Sequence, residues 1–142
     1  MRDILPSLMG SWILSRSIDN GCSMIGTAAI SRRGGSRYDY REAGCLTLAD
    51  GQTLEAERRY IFAVEDDGFT VLFAESAARL FHRIVLERIG PNVIGRGIHT
   101  CGDDRYDSRY EFRANGSFII AHTVSGPRKS YAMETRYVRA LI

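Results

Sequence analysis

The chain has little of what would commit it to a specialised class. In 142 residues there are three prolines, three cysteines and one tryptophan. Cys22, Cys45 and Cys101 are odd in number, widely spaced and contain no C-x-x-C, which argues against a disulfide framework and against a structural zinc site. Neither sign of charge dominates: 19 Lys and Arg stand against 17 Asp and Glu. That balance points to no nucleic-acid and no membrane partner. No stretch approaches the ~18 apolar residues of a membrane helix. The opening Met1-Arg2-Asp3-Ile4-Leu5-Pro6 has no apolar run of signal-peptide length. Three thiols without evident partners then suggest a cytoplasmic setting. What remains, at 44% hydrophobic and 25% charged residues, is the composition of one globular domain over residues 1–142.

Glycine, by contrast, is regularly placed. Asn20-Gly21, Gly34-Gly35, Asp50-Gly51, Asp67-Gly68 and Asn115-Gly116 are hairpin-type pairs, because Gly and Asn tolerate the positive φ that tight turns require. Gly90-Pro91-Asn92, Gly102-Asp103-Asp104 and Gly126-Pro127 mark further breaks. Between them the pattern has period two. Tyr106, Ser108, Tyr110 and Phe112 alternate with Asp107, Arg109, Glu111 and Arg113, giving one aromatic and one charged face. Leu54, Ala56, Arg58, Tyr60, Phe62 and Val64 share a face opposite Glu55, Glu57 and Arg59. Other shared faces are Trp12, Leu14, Arg16 and Ile18; Tyr38, Tyr40, Glu42, Gly44 and Leu46; Phe69, Val71 and Phe73; and Lys129, Tyr131, Met133, Thr135 and Tyr137.

Helix signals are confined to short stretches at Arg2–Met9 and Ser76–Leu80. The fold expected is all-β: a single up-and-down antiparallel barrel of eight to ten strands with at most short capping helices, since closure removes exposed edges. An open two-sheet sandwich is the second choice, but its crossovers need longer loops than this chain offers.

Gly10-Ser11-Trp12 resembles the G-x-W on the first strand of lipocalins and their calycin relatives. The resemblance implies that Trp12 plugs the closed end of the barrel and that a C-terminal arginine, Arg139 in preference to Arg136, packs over it. A narrower resemblance runs over nearly the whole chain, to an uncharacterised bacterial family of short lipocalin-like proteins. It is carried by Gly10-x-Trp12 with Arg16 and Ile18, Tyr40-x-Glu42-x-Gly44, Arg58-x-Tyr60, Phe81-His82, His99-x-Cys101, Asp104-x-Tyr106 with Tyr110, Gly126-Pro127-Arg128-Lys129-x-Tyr131 and Thr135-x-Tyr137-x-Arg139. It implies a fold and no reaction. The fatty-acid-binding branch ends in Arg-x-Tyr; here the order is Tyr137-x-Arg139, so that branch's carboxylate grip does not carry over.

Barrel interiors are filled by alternate residues of each strand. Arg16, Glu42, Arg58 and Lys129 fall in phase with the apolar faces, and a buried charge needs a partner. Glu42 can satisfy one arginine, which leaves surplus positive charge. Tyr40, Tyr60, Tyr106, Tyr110 and Tyr131 add hydroxyls, and His82 and His99 join them on the strands toward the mouth. This set reads as a site for a small anionic molecule, a carboxylate or phosphate, with one polar cluster of Arg16, Glu42, Arg58 and Tyr60. An internal network that satisfies itself is the competing reading. The same residues also allow a lumen enzyme using Glu42 or His99, or a structural or interaction barrel with a filled core; a homodimer is open at this point.

His82, His99 and Cys101 lack the spacing of any metal signature, and neither metal, haem nor another cofactor is expected. No catalytic set is expected either: G-x-S-x-G is absent and Glu42 is nearly alone as an inward acid. His122, between Ile119, Ile120 and Val124, reads as packing. The basic turns Arg32–Arg37 and Ser125–Ser130 read as solvated hairpins, the second able to cap an anion.

Overall fold

A computed structural model describes residues 4–74 and 79–141. A short helix, α1 (Ile4–Ser7), leads into β1 (Gly10–Ile18), β2 (Ser23–Gly34), β3 (Arg37–Thr47), β4 (Thr53–Glu65), β5 (Gly68–Phe73), β6 (Arg79–Ile89), β7 (Asn92–Cys101), β8 (Asp104–Phe112), β9 (Phe118–Ser125) and β10 (Ser130–Arg139). Each strand pairs antiparallel with the next, and β10 returns to pair with β1, so the sheet is a closed ten-strand barrel. The glycine-marked turns fall on the connections between these strands. The N-terminal helix ends at Ser7, short of Met9, and Arg2 and Asp3 of the expected stretch lie outside the described residues. Of the other helical stretch, residues 76–78 lie outside the described residues and Leu80 is in β6.

The order of elements puts the turns after β2, β4, β6 and β8, together with α1 and the last residues of β10, at one end. The turns after β1, β3, β7 and β9 lie at the other. The first end is filled. Trp12 is fully buried, its Nε1 donates to the Leu8 carbonyl at 2.9 Å, and Phe118 meets it edge-on at 4.7 Å. Phe118 in turn stacks on Tyr137 at 4.2 Å. Leu5 and Leu8 close the layer from below.

Arg139 pairs in register with Trp12 across the β1–β10 seam, and its guanidinium lies 4.1 Å from the indole centroid. The same guanidinium donates to the carbonyls of Met9, at 2.6 Å, and Ser7, at 2.5 Å. These carbonyls sit at the C-terminal end of α1, where a helix leaves acceptors unpaired. Arg136, by contrast, is exposed and bonds Glu134 at 3.1 Å. The glycine of G-x-W has a cause as well. Gly10 holds φ at +123°, and a Cβ there would lie 2.7 Å from the Arg139 guanidinium. Gly10, Trp12 and Arg139 are one packing unit.

Trp12→Ala should therefore cost roughly 3–5 kcal/mol. Arg139→Met should cost roughly 1–3 kcal/mol through lost carbonyl bonds and lost cation–π contact. Urea unfolding checks both; an iodide-accessible Trp12 fluorophore in the wild type would contradict this packing.

Candidate functional site

Above the plug the inward residues turn polar. Arg16 on β1 and Glu42 on β3 form a buried two-pronged pair, with both Nη–Oε distances at 2.8 Å. Arg16 Nε donates to Thr135 Oγ1 at 2.7 Å. Tyr40 donates to Glu42 Oε1 at 2.6 Å, and the hydroxyls of Tyr40 and Tyr137 lie 2.7 Å apart. Burial works against charge on both partners, yet each keeps it. The Arg16 bonds and charge outweigh burial and hold the Glu42 carboxyl below its ordinary range, with the Tyr40 hydroxyl and the Arg58 charge helping. Glu42 likewise holds the Arg16 guanidinium protonated, above its usual value, against its own burial. Burial first, and the neighbouring anion second or third, push the Tyr40 and Tyr137 hydroxyls upward.

At the same height on the opposite wall lies a second network. His82 Nε2 is 2.8 Å from the Tyr110 hydroxyl, and Ser108 Oγ is 2.7 Å from His122 Nδ1 and 3.5 Å from His82 Nδ1. Burial, then the neighbouring His122 and His99, push His82 down to about 3. Burial, then the charges of Arg16 and Arg58, push His122 down to about 4. Among the described residues every fully buried side-chain nitrogen or oxygen has a partner.

The unpaired space lies above these networks. A cavity of about 570 Å³ is walled by Tyr60, Phe73, Phe81, Tyr106, Tyr131 and Met133, with Val124 level with Tyr106 and Tyr131, His122 two residues further from the mouth along β9, and His99 and Cys101 on β7. Arg58 lines the same cavity with the Tyr60 hydroxyl 3.4 Å from its guanidinium, but it is exposed at the mouth and not the buried charge expected. No carboxylate of the described residues lies within 4 Å of it. Arg59, of opposite parity, contributes at the rim and also borders an outer groove with Asp39 and Arg41. A bulge shapes this wall. Val71 pairs with His82 but Leu72 pairs with Leu80, so Phe81 is the extra residue on β6. Phe81 and His82 therefore both face inward, where simple alternation would send one out. Phe81 stacks on Tyr60 at 5.7 Å and touches the ring of His122 at 5.8 Å.

The expected site residues thus line two spaces that share Arg58 and Tyr60. Arg58, Tyr60, His99, Tyr106 and Tyr131 line the cavity. Arg16, Tyr40, Glu42 and Tyr110 surround only a small void of about 30 Å³ beneath it, and His82 is buried at that level. Arg16, Glu42, Arg58 and Tyr60, expected as one cluster, border that small void together, and Glu42 faces Arg58 in register; within the set Arg16 has engaged both Glu42 oxygens, while Arg58 and Tyr60 also reach the larger cavity. Lys129 also differs from expectation. It is exposed at the rim, 3.6 Å from Asp104 and 3.4 Å from the Tyr106 hydroxyl, so it has an acid of its own. His122, which the sequence pattern assigns to packing, lines the cavity instead, and the same pattern does not single out Phe81 or Ser108. For His122 the one signal available is its phase with Ile120 and Val124, both inward.

Sealed at one end and open to a polar, aromatic cavity at the other, the molecule is a lumen-bearing antiparallel β-barrel protein. The chain belongs to the DUF6314 family, a family of unknown function, whose model matches residues 8–139. None of the curated proteins matches it. Among solved structures it is similar to the redesigned barrel mFAP1, bound to DFHBI, with 14% identity, a TM-score of 0.53, and 95% of this chain and 97% of that one covered. It is also similar to a de novo designed fluorescence-activating β-barrel, with 14% identity, a TM-score of 0.50, and 99% of this chain and 100% of that one covered. At these identities the likeness concerns the fold alone.

Two expectations follow from the networks. Arg16→Met should cost about 3–5 kcal/mol by stranding the Glu42 charge, whereas Arg16→Met with Glu42→Met should recover most of that loss. A double-mutant cycle in urea reads the difference. Second, the folded pKa values of His82 and His122 lie below the ordinary 6.5, so the unfolded chain takes up protons first as pH falls. Stability is full above about 6.5 and declines toward pH 4, by about 3 kcal/mol per histidine at most; protonation of Glu42 adds to the loss below about 4.5. Urea midpoints against pH should show this slope, flattened in His122→Gln and in His82→Gln.

Proposed function

We propose that the protein is a small-molecule binding barrel whose ligand is a small anion with an aromatic or apolar body. The observation that carries this reading is Arg58. It is a guanidinium that cannot lose its proton, it borders a cavity of about 570 Å³, and no carboxylate of the described residues lies within 4 Å of it. Cavities of this size suit drug-sized ligands, and the walls of Tyr60, Phe73, Phe81, Tyr106 and Tyr131 offer ring surface for stacking. A carboxylate or phosphate on Arg58 would complete its hydrogen bonds in the two-pronged way that Glu42 completes those of Arg16. The redesigned barrel mFAP1 holds DFHBI, and that supports small-molecule binding as something this fold can do.

The competing enzyme reading draws less support. Glu42 is 2% exposed and both its oxygens are engaged, so it is a poor acid or base for a molecule in the cavity. His99 stands there without a second titratable group at bonding distance among the described residues. A filled structural barrel fits the lower half of the molecule and not the upper. The Trp12–Arg139 plug supports a lipocalin-like ancestry, and three free thiols support work in the cytoplasm.

Calorimetric titration with 1-naphthoate and 1-naphthyl phosphate tests the reading. Arg58→Met should weaken binding by roughly ten- to a hundredfold, the worth of a hydrogen-bonded charge. Arg59→Met should change it less than about twofold. Equal effects of the two substitutions, or no binding to the wild type, would count against an anion site at Arg58.

A further inference from the structure

The polar chain beneath the cavity has only one consistent direction. It begins at Tyr110, which borders the small void and whose ring packs on Phe69 and Phe112; its hydroxyl has His82 Nε2, at 2.8 Å, as its hydrogen-bond partner among the described residues. A phenol has one hydrogen to give. If His82 donated to Tyr110 instead, that hydrogen would be buried without an acceptor, which costs more than an unused lone pair. Tyr110 therefore donates, His82 Nε2 accepts, and a neutral His82 carries its proton on Nδ1.

His82 Nδ1 faces Ser108 Oγ at 3.5 Å, a long contact, and Ser108 faces His122 Nδ1 at 2.7 Å. With Nδ1 of His82 protonated, the Ser108 hydrogen has one acceptor left, His122 Nδ1. The reverse arrangement would place Ser108, which is 1% exposed, between two protonated nitrogens with nowhere to donate. So His122 accepts on Nδ1 and, being neutral, holds its proton on Nε2. Both rings do stay neutral, since burial pushes each far below the ordinary histidine range. His122 Nε2 has no partner among the described residues. It is also absent from the sealed, unsatisfied atoms, so it opens onto the cavity that His122 lines.

We propose that His122 presents a fixed, uncharged N–H donor to the floor of the cavity, and that the ligand carries a carbonyl or ring-nitrogen acceptor at its deep end, opposite its anionic group. The acceptor half deepens the anion-binding reading and rests on it only for the position of the charged end. Ser108, His82 and Tyr110 are positioning residues: none needs to touch the ligand, and together they fix which nitrogen of His122 is protonated. A site built this way favours an acceptor over a donor or a methylene at the same position, because a ligand without a lone pair there would leave the His122 N–H buried and unpaired.

Two measurements test this. Long-range ¹⁵N–¹H NMR of histidine-labelled protein, without ligand at pH 7, should show His82 protonated on Nδ1 and His122 on Nε2. Ser108→Ala, a change small enough to keep the fold, should leave His82 as it is and turn His122 into a tautomer mixture. Wild-type protein with His122 protonated on Nδ1 overturns the proposal whatever binds in the cavity. The second measurement compares 4-benzoylbenzoate with 4-benzylbenzoate, and uncharged benzophenone with diphenylmethane. In each pair one carbonyl replaces one methylene. The carbonyl member should bind roughly tenfold more tightly, and His122→Phe should remove that preference. Equal binding within both pairs overturns the acceptor half. If the carboxylates bind no better than their uncharged counterparts while the carbonyl preference persists, the anion reading fails and the His122 donor stands.

Discussion

The antiparallel seam between β1 and β10 is the constraint on which the rest of the molecule depends. It sets Trp12 opposite Arg139, and that pairing does three things at once. It closes the sheet, so no ladder edge is left between first and last strands. It puts the largest side chain of the chain at one end of the lumen. It also brings a guanidinium over the indole, where two of its nitrogens hold the carbonyls that follow α1. The barrel is thereby stoppered at one end by its own termini. The larger cavity, about 570 Å³, lies toward the opposite end, while a pocket of about 280 Å³ remains beside the plug between α1 and the turns after β6 and β8.

The Arg16–Glu42 pair divides the filled half from the open half. A buried ion pair is a poor source of net stability, since desolvation of both partners offsets most of their attraction. Its effect here is positional. With Tyr40, Tyr137 and Thr135 it forms a polar floor whose donors and acceptors are used up inside the protein. A molecule entering from the mouth meets no free charge at that depth. Arg58 and His122 border both the small void at that floor and the larger cavity above it. The arginine spoken for and the arginine left open are chemically identical; Glu42 faces Arg58 in the β3–β4 register, but both its oxygens are held by Arg16.

That distinction also marks how much can be read from the sequence. Period-two alternation assigns a side chain to the inner or outer face, and it does so correctly for Arg16, Glu42, Arg58 and Tyr60 because no bulge interrupts β1, β3 or the body of β4. Gly10, Trp12 and Arg139 are singled out by the resemblance to the lipocalin G-x-W and not by alternation. Height along the barrel axis is another matter. It depends on the register of strands far apart in sequence, so alternation alone does not say which of Arg16 and Arg58 takes Glu42. Lys129 reads as unpaired because Asp104 reaches it from the facing hairpin, across 25 residues of chain. The bulge at Phe81 turns two consecutive residues inward, which no alternation pattern signals. His122 is hidden for a different reason: an inward histidine flanked by Ile120 and Val124 has the same sequence signature whether it packs against side chains or borders a cavity.

The electrostatics of Arg58 and His122 fit together. Arg16 and Arg58 lie close enough to His122 to oppose its protonation, and burial opposes it more strongly. A protonated His122 would have donors on both nitrogens and would break the Ser108 bond that orients it. The arginines therefore protect the neutral tautomer as well as supplying positive potential. An anion seated on Arg58 would cancel part of that field, yet burial, the larger influence, would remain. His122 can thus stay an uncharged donor both before and after an anion arrives. On the proposed reading the open half of the barrel would separate two tasks: charge would be met at the mouth by a group that cannot lose its proton, and hydrogen-bonding direction would be set at the floor by a group kept from gaining one.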